Sequence, residues 1–149
     1  MILGIGIGGF IDGIVFHQIL QWHQMLSAKI TIADYIGKSV NMFWDGIFHL
    51  FCLMVLMVGI FKLWQLNKRT LLNFSMKLLI GGMLIGWAIF NVVEGLINHH
   101  LLKLHNVREQ TLAPENANIF FLAASVILFF IGLLLVNSVS IRLFRSIRK

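Results

Sequence analysis

Four long apolar runs, joined by short polar connections, restrict this chain to very few architectures. The runs cover approximately residues 1–20, 43–64, 78–97 and 119–136. A helix needs about 20 apolar residues to cross the hydrocarbon of a bilayer, and lipid cannot hydrogen-bond to the backbone of a less regular segment. We therefore predict a single all-α domain, residues 1–149, in which four transmembrane helices form a bundle.

The composition agrees with a membrane protein and excludes other classes. Of the 149 residues, 58% are hydrophobic and 12% are charged, whereas about 25% of the residues in soluble domains are charged. The net charge of +6 does not indicate nucleic-acid binding, because the cations lie at the ends of the apolar runs, where Lys and Arg anchor helices to the membrane surface. The expected partner is therefore the lipid bilayer and not a nucleic acid.

The same cations predict the orientation of the helices. Four spans place both termini and the second connection on one side of the membrane. That side carries eight cations and the opposite side carries four; the first set is Lys62, Lys68, Arg69, Lys77, Arg142, Arg145, Arg148 and Lys149, and the second is Lys29, Lys38, Lys103 and Arg108. By the positive-inside rule, we expect both termini in the cytoplasm and the first and third connections outside.

Glycines at four-residue spacing predict how the helices pack. The pairs are Gly4 and Gly8, Gly9 and Gly13, and Gly82 and Gly86. Small residues four apart allow transmembrane helices to approach closely. Close approach would let side chains from different helices converge on one point.

Ionisable side chains inside the apolar runs are the best indicators of function, because each is costly in hydrocarbon. They concentrate in the first three runs, and the fourth has almost none. At 1.5 Å per helical residue, His17, His49 and Glu94 each lie about 7 Å inside the outer interface. Three helices therefore contribute one ionisable group each to a common layer.

The direction of these side chains raises a difficulty for a regular α-helix. At 100° per residue, Asp12 lies about 140° away from His17. His99 and His100 likewise leave the helix face that carries Glu94. Either Asp12 makes another contact or the first helix is distorted near Gly13, and the two later histidines need a break in the third helix to join the layer.

A layer of imidazoles and carboxylates is typical of a transition-metal site. These ligands suit Fe, Zn and Cu(II), and inside lipid the ligands must be gathered by the protein because water cannot complete the shell. The candidate metal ligands are His17, His49, Glu94, His99, His100, Asp45, His23 and His105. Residues expected to relay protons or support the ligands are Asp12, Gln21, Asn91, Asn98 and Arg108.

The polar residues lie in short, distinctive strings. These are Gly9–Gly13, His17–His23, Asp45–His49, Asn91–Gly95, His99–His100 and His105–Arg108. In these strings the chain resembles a family of short bacterial predicted membrane proteins, a domain of unknown function, over nearly its whole length up to the fourth run. The resemblance implies a four-span protein of the bacterial inner membrane, and it implies no activity.

Four functions stay open on this basis. The first is a metal-dependent membrane oxidoreductase that uses Fe or Cu. The second is metal handling, in which the outer histidines pass Zn or Cu to a membrane oxidase or another membrane partner. The third is a haem b subunit with two axial histidines, which the carboxylates in the same layer disfavour. The fourth is a structural or assembly subunit without metal, and a homo-oligomer is compatible with each.

Overall fold

The structure of the chain, a computed structural model, is all-helical over the residues it describes. These are residues 1–68 and 75–147, with residues 140–147 described by their backbone alone. The helices are α1 (Ile2–Ile11), α2 (Tyr35–Asn67), α3 (Met76–Glu94) and α4 (Pro114–Ile147), and α1 and α3 continue as the π-helices π1 (Asp12–Ile19) and π2 (Gly95–Leu101). With each π-helix counted as part of the helix that it continues, the described residues form four helical segments that are long and apolar enough to span a membrane. This result confirms the predicted four-helix fold.

Some residues used in the orientation argument have no described structure. Arg69, Arg148 and Lys149 lie outside the described residues, and no side-chain position is described for Arg142 and Arg145. The cytoplasmic location of both termini therefore stays a prediction.

α2 and α4 are longer than the apolar runs indicated. α2 has 33 residues, about 50 Å at 1.5 Å per residue, whereas the hydrocarbon of a bilayer is about 30 Å thick. It begins at Tyr35 because Asp34 caps it, the carboxylate accepting a hydrogen bond from Gly37 N at 2.7 Å. Lys38 interrupts the apolar pattern there, so the pattern places the start of this helix too late. α4 begins at Pro114, a residue whose fixed backbone angle suits the first helical position.

The helices pack in the order α2, α1, α3, α4. α1 packs against α2 and α3, and α4 packs against α3; within the described ranges α2 and α4 do not meet. The two central helices are very close: a Cβ on Gly4 would collide with the main-chain carbonyl of Met83, and a Cβ on Gly86 would collide with that of Met1. Small residues are therefore required where α1 crosses α3.

The buried interior is polar and the exposed surface is apolar. Apart from glycine, the buried apolar residues in the described part of the chain are Cys52, Ile85, Ala88 and Val107. The buried polar residues are Asp12, His17, His23, Gln24, Asn41, Asp45, Asn91, Glu94, His99, His105, Asn118 and Ser125. Large apolar side chains on α2 and α4 are instead exposed. This distribution is the reverse of that in a soluble domain, and it suits a protein whose surroundings are lipid.

Candidate metal centre

The π-helix π1 brings Asp12 and His17 together. A π-helix is bonded from residue i to residue i+5, so side chains five apart come onto one face, whereas a regular α-helix would separate them by about 140°. In the structure His17 Nε2 lies 3.2 Å from Asp12 Oδ2, and both side chains are almost completely buried. The distortion that the sequence left open near Gly13 is therefore this π-helix.

The π-helix π2 does the same for Glu94 and His99. His99 Nε2 lies 3.1 Å from Glu94 Oε1, again across five residues. The same carboxylate oxygen is 3.5 Å from His105 Nε2. The break in the third helix that His99 needed in order to join the layer is thus present.

Each π-helix ends in a turn that directs the chain back towards the histidine of that π-helix. Gln21 and Lys103 both have a left-handed backbone, with φ of 50° and 48°. Trp22 N then donates to Phe16 O at 2.9 Å. The corresponding bond in the second turn joins Leu104 N and Asn98 O at 2.8 Å. These turns direct the next residue of each segment, His23 or His105, towards the histidines of the π-helices.

The two segments are copies of one pattern. Asp12-Gly13 is followed by His17 and His23, and Glu94-Gly95 is followed by His99 and His105 at the same spacings. The contacts between the segments are also reciprocal: Ala28 N donates to Leu104 O, and Glu109 N donates to Trp22 O, both at 3.0 Å. Together with the paired glycine contacts of α1 and α3, this repetition relates the two halves of the chain by an approximate two-fold axis.

The four histidines of the two segments meet at that axis. The rings of His23 and His105 stack in parallel with their centroids 4.4 Å apart. His17 lies 4.4 Å from His23, and His99 lies 4.9 Å from His105, centroid to centroid. We name these four residues, His17, His23, His99 and His105, the histidine cluster. Asp12 and Glu94 lie at its two ends.

The ring nitrogens of the cluster are arranged as a set of ligands. The Nε2 atoms of all four histidines are buried, and none has a hydrogen bond of good geometry with another described residue. Three of them face a carboxylate oxygen at 3.1–3.5 Å, and His23 Nε2 faces none within ion-pair distance. Ligand atoms of His17, His23 and His105 lie within 4.8 Å of one another, as do those of Glu94, His99 and His105. An ion held at about 2.1 Å from each ligand atom brings those atoms within about 4.2 Å of one another, so a small adjustment of side chains would gather either group.

Outer contacts fix the rings of the first segment. His17 Nδ1 donates to Asp45 Oδ1 at 2.9 Å, and the same oxygen accepts from Met25 N at 2.9 Å. His23 Nδ1 donates to the main-chain oxygen of Val107 at 2.8 Å. A histidine whose Nδ1 donates in this way presents the lone pair of Nε2, which is the usual arrangement in a metal-binding histidine.

The two histidines beyond the ends of the spans are neutral near pH 7. Burial, and after it the neighbouring His17, lower the pKa of His23 to about 4, against smaller opposing effects. Burial also lowers the pKa of His105 well below the usual value for histidine, and His23 and His99 add to this effect. A neutral imidazole has a free lone pair, so both residues are ready to bind a cation without first losing a proton.

The other predicted site residues lie around the cluster or away from it. Among the predicted ligands, His49 stacks on Phe10 and belongs to neither group of ligand atoms, and His100 Nδ1 donates to Gly95 O at 2.9 Å. Asn98 donates to Glu94 Oε1 at 3.4 Å, and Asn91 is buried. Gln21 and Arg108 are exposed. The structure therefore gathers His17, His23, His99, His105, Glu94 and Asp12, with Asp45 behind His17.

One signal in the sequence would have identified the cluster directly. An acid, a glycine and two histidines recur at identical spacings, and this internal repeat is visible in the sequence without a structure. The helix-based layer instead grouped His49 with His17 and Glu94, because it assumed regular α-helices. His23 and His105 lie beyond the helices, so helix-face arithmetic could not place them.

Comparison with known proteins gives the chain a family. A family model described as "Predicted membrane protein (DUF2243)" matches residues 1–139. The chain belongs to this family. No curated protein and no solved structure matches the chain. The match covers all four helices as far as residue 139 and therefore both copies of the pattern. It confirms the resemblance to a family of predicted membrane proteins, whereas the bacterial origin stays a prediction. The description of the family names no activity.

Proposed function

We propose that this membrane protein binds a transition-metal ion at the histidine cluster. The observation that carries the proposal is the convergence of four buried imidazoles and two buried carboxylates, in which the Nε2 atoms of the rings have no hydrogen bond of good geometry. Three of these nitrogens face a carboxylate oxygen at 3.1–3.5 Å, and that of His23 has no such contact. Buried polar groups are normally paired, because an unpaired one loses its hydration without compensation. Binding a metal would satisfy these nitrogens together.

The donor set favours Fe or Zn. Imidazole and carboxylate ligands suit both metals, whereas Cu(I) prefers thiolate and thioether ligands, and neither ligand group contains cysteine or methionine. Asp12 and Glu94 would also balance the charge of a cation in a medium of low dielectric constant. Cu(II) stays compatible with the nitrogen ligands.

The contacts within the cluster disfavour the two main alternatives. A haem needs a flat space between its axial histidines, whereas these rings lie against one another with centroids 4.4 Å apart. A purely structural polar layer would be expected to pair each of its nitrogens, whereas His23 Nε2 and the Nδ1 atoms of His99 and His105 are buried without a hydrogen-bond partner among the described residues. We therefore favour a metal centre over a haem subunit or an assembly subunit without metal.

The proposed role is redox chemistry or metal handling near one membrane surface. The cluster lies where α1 and α3 end and α2 and α4 begin. With both termini in the cytoplasm of a bacterium, as the cations favour, this end faces the outside of the inner membrane. A membrane oxidase or a second copy of the chain would meet the metal from that side.

Metal analysis of the purified protein tests the proposal. Protein is expressed with Fe, Zn and Cu each supplied in turn, purified in detergent, and examined by elemental analysis and optical spectroscopy. We expect bound metal in the unmodified chain and almost none after His23→Ala and His105→Ala are combined. The matched control combines His49→Ala and His100→Ala, which removes two histidines outside the ligand groups and should leave the metal content unchanged.

Two outcomes would refute the metal centre. One is unmodified protein that is metal-free and takes up none of the three metals on reconstitution. The other is equal metal content in the two double variants, which would place the ions elsewhere. Both variants are first shown to elute as folded protein on size exclusion, so that a loss of metal is not a loss of fold.

A further inference from the structure

A large cavity lies between α1, α3 and α4, with a volume of about 770 Å³. Pockets for small molecules usually have volumes of about 300–1,000 Å³. Along α4 its wall runs from Asn116 to Leu128, which is about 18 Å at 1.5 Å per residue. Half the hydrocarbon of a bilayer is about 15 Å thick. The cavity is therefore as long as the acyl chain of a lipid in its own leaflet.

The two ends of this cavity differ in polarity. Arg108 and Trp22 line one end, and the guanidinium carbon lies 5.3 Å from the centre of the indole ring. Within the described part of the chain, no carboxylate lies at ion-pair distance from Arg108. The other end is lined by the apolar side chains of Trp87 and Leu128. A cation at one end of an apolar channel matches a molecule with an anionic head and an apolar chain.

The two halves of the chain do not have cavities of the same size at corresponding positions. A cavity of only about 310 Å³ lies at the position corresponding to the large cavity, lined by residues of α1, α2, α3 and π2. Phe48 and Phe51 of α2 line the small cavity, whereas α4 presents Ala117 and Ala124 to the large one. No cation lines the small cavity. The backbone is similar in the two halves of the chain. The large cavity therefore differs from the small one because of the small residues of α4 and the presence of Arg108.

We propose that the large cavity binds an amphiphile that has an anionic head and an apolar chain. The head lies beside Arg108, and the chain follows α4 towards Leu128. Asp12 lines the cavity at mid-depth, but its side chain is buried against His17, so a passing chain meets little charge. The binding depends on the cavity and on Arg108, and it holds with or without metal in the histidine cluster.

Tryptophan fluorescence provides a direct test. Trp44 and Trp64 are exposed and are first replaced by phenylalanine, so that only Trp22 and Trp87 of the cavity emit. The purified protein in non-ionic detergent is titrated with dibrominated stearate, whose bromine atoms quench nearby indole rings. We expect saturable quenching. Brominated phosphatidylglycerol forms the second arm, and the probe that saturates at the lower concentration identifies a free fatty acid or a membrane lipid as the source.

Variants locate the bound molecule. Ala124→Phe should abolish the saturable quenching by filling the cavity. Its matched control is Ala123→Phe, because Ala123 is exposed and does not line the cavity, and this variant should quench as before. Arg108→Gln should weaken stearate binding roughly ten-fold or more, the effect expected for loss of a charged hydrogen bond.

Three results would overturn the inference. Quenching by both probes that never saturates would show simple partition into detergent. Equal quenching in the Ala124→Phe and Ala123→Phe variants would place the probe outside the cavity. Equal affinity for dibrominated stearate and its uncharged methyl ester would show that the anionic head does not contribute to binding. Repeating the titration on the His23→Ala, His105→Ala double variant separates this result from the metal centre, since we expect no change there.

Discussion

The first and second histidine segments have the same backbone but different surroundings. In the first, His17 lies between two carboxylates, with Asp12 at Nε2 and Asp45 at Nδ1. In the second, Glu94 lies at Nε2 of His99, but Nδ1 of His99 is buried and makes no hydrogen bond with a described residue. The repeated pattern thus fixes the positions of the ligands, and the flanking helix decides how firmly each is held.

This difference suggests that the two halves of the cluster bind a cation unequally. A carboxylate behind a histidine ligand fixes its tautomer and makes it more basic. His17 has such a carboxylate, whereas His99 does not. We therefore expect the group formed by His17, His23 and His105 to bind more tightly than the group formed by Glu94, His99 and His105.

The largest expected effect is that of removing the histidine shared by both groups. His105→Ala should abolish metal binding, since His105 belongs to each group of ligand atoms. His23→Ala should leave a weaker site, because the group with Glu94 and His99 stays complete. Elemental analysis combined with a metal titration distinguishes the two variants. Identical titration curves for His105→Ala and His23→Ala would show that the two groups are not separate.

The next effect concerns the carboxylate that the second segment lacks. Asp45→Asn should weaken metal binding about 10- to 100-fold, the usual result of losing a carboxylate behind a ligand. Competition with a chelator of known affinity measures this change. An unchanged affinity would mean that Asp45 only supports the main chain at Met25, which it also contacts.

A smaller effect should follow from adding a methyl group beside each acid. A Cβ on Gly13 would collide with the imidazole of His49, whereas a Cβ on Gly95 would meet mainly the flexible end of Leu122, at 2.9 Å. Gly13→Ala should therefore cost about 1–3 kcal/mol of stability, and Gly95→Ala should cost less.

Thermal unfolding in detergent compares these two variants. Combining Gly13→Ala with His49→Ala should restore part of the loss, because the colliding ring is then absent. If Gly95→Ala unfolds at the lower temperature, the stated difference between the two glycines is wrong.

The smallest effect is expected at Asn98. Its amide donates to Glu94 Oε1 at a long 3.4 Å, and hydrogen bonds between transmembrane side chains are worth about 0.6 kcal/mol on average. Asn98→Ala should therefore weaken metal binding only about three-fold, as measured by the same chelator competition. A loss as large as that of Asp45→Asn would make Asn98 a true support of the second segment.

The sequence predicted the fold well because hydropathy reports directly on a membrane environment. The four helices follow from four apolar runs, and the close contact of α1 with α3 follows from glycine spacing. The start of α2 was misplaced because the cap of Asp34 and the polar residues after it carry no hydropathy signal. The position at which α2 begins is therefore set by capping and packing, which hydropathy does not report.

The candidate centre was predicted only in part. Asp12, His17, Glu94 and the later histidines were all selected as polar residues in costly positions, which needs no geometry. Their grouping required the π-helices, and a change from α to π bonding moves every following side chain around the axis. His49 was grouped with them by regular helix geometry, and the structure leaves it beside Phe10.

The reciprocal contacts of the two halves have an evolutionary consequence. Two identical two-helix chains that paired about a symmetry axis would build the same glycine crossing and the same ring of histidines. Fusing such copies into one polypeptide frees each from the need to match its partner. One half has an acid behind its histidine, and the other half lines a large cavity with small residues of α4. Two identical chains in a homodimer could not differ in this way.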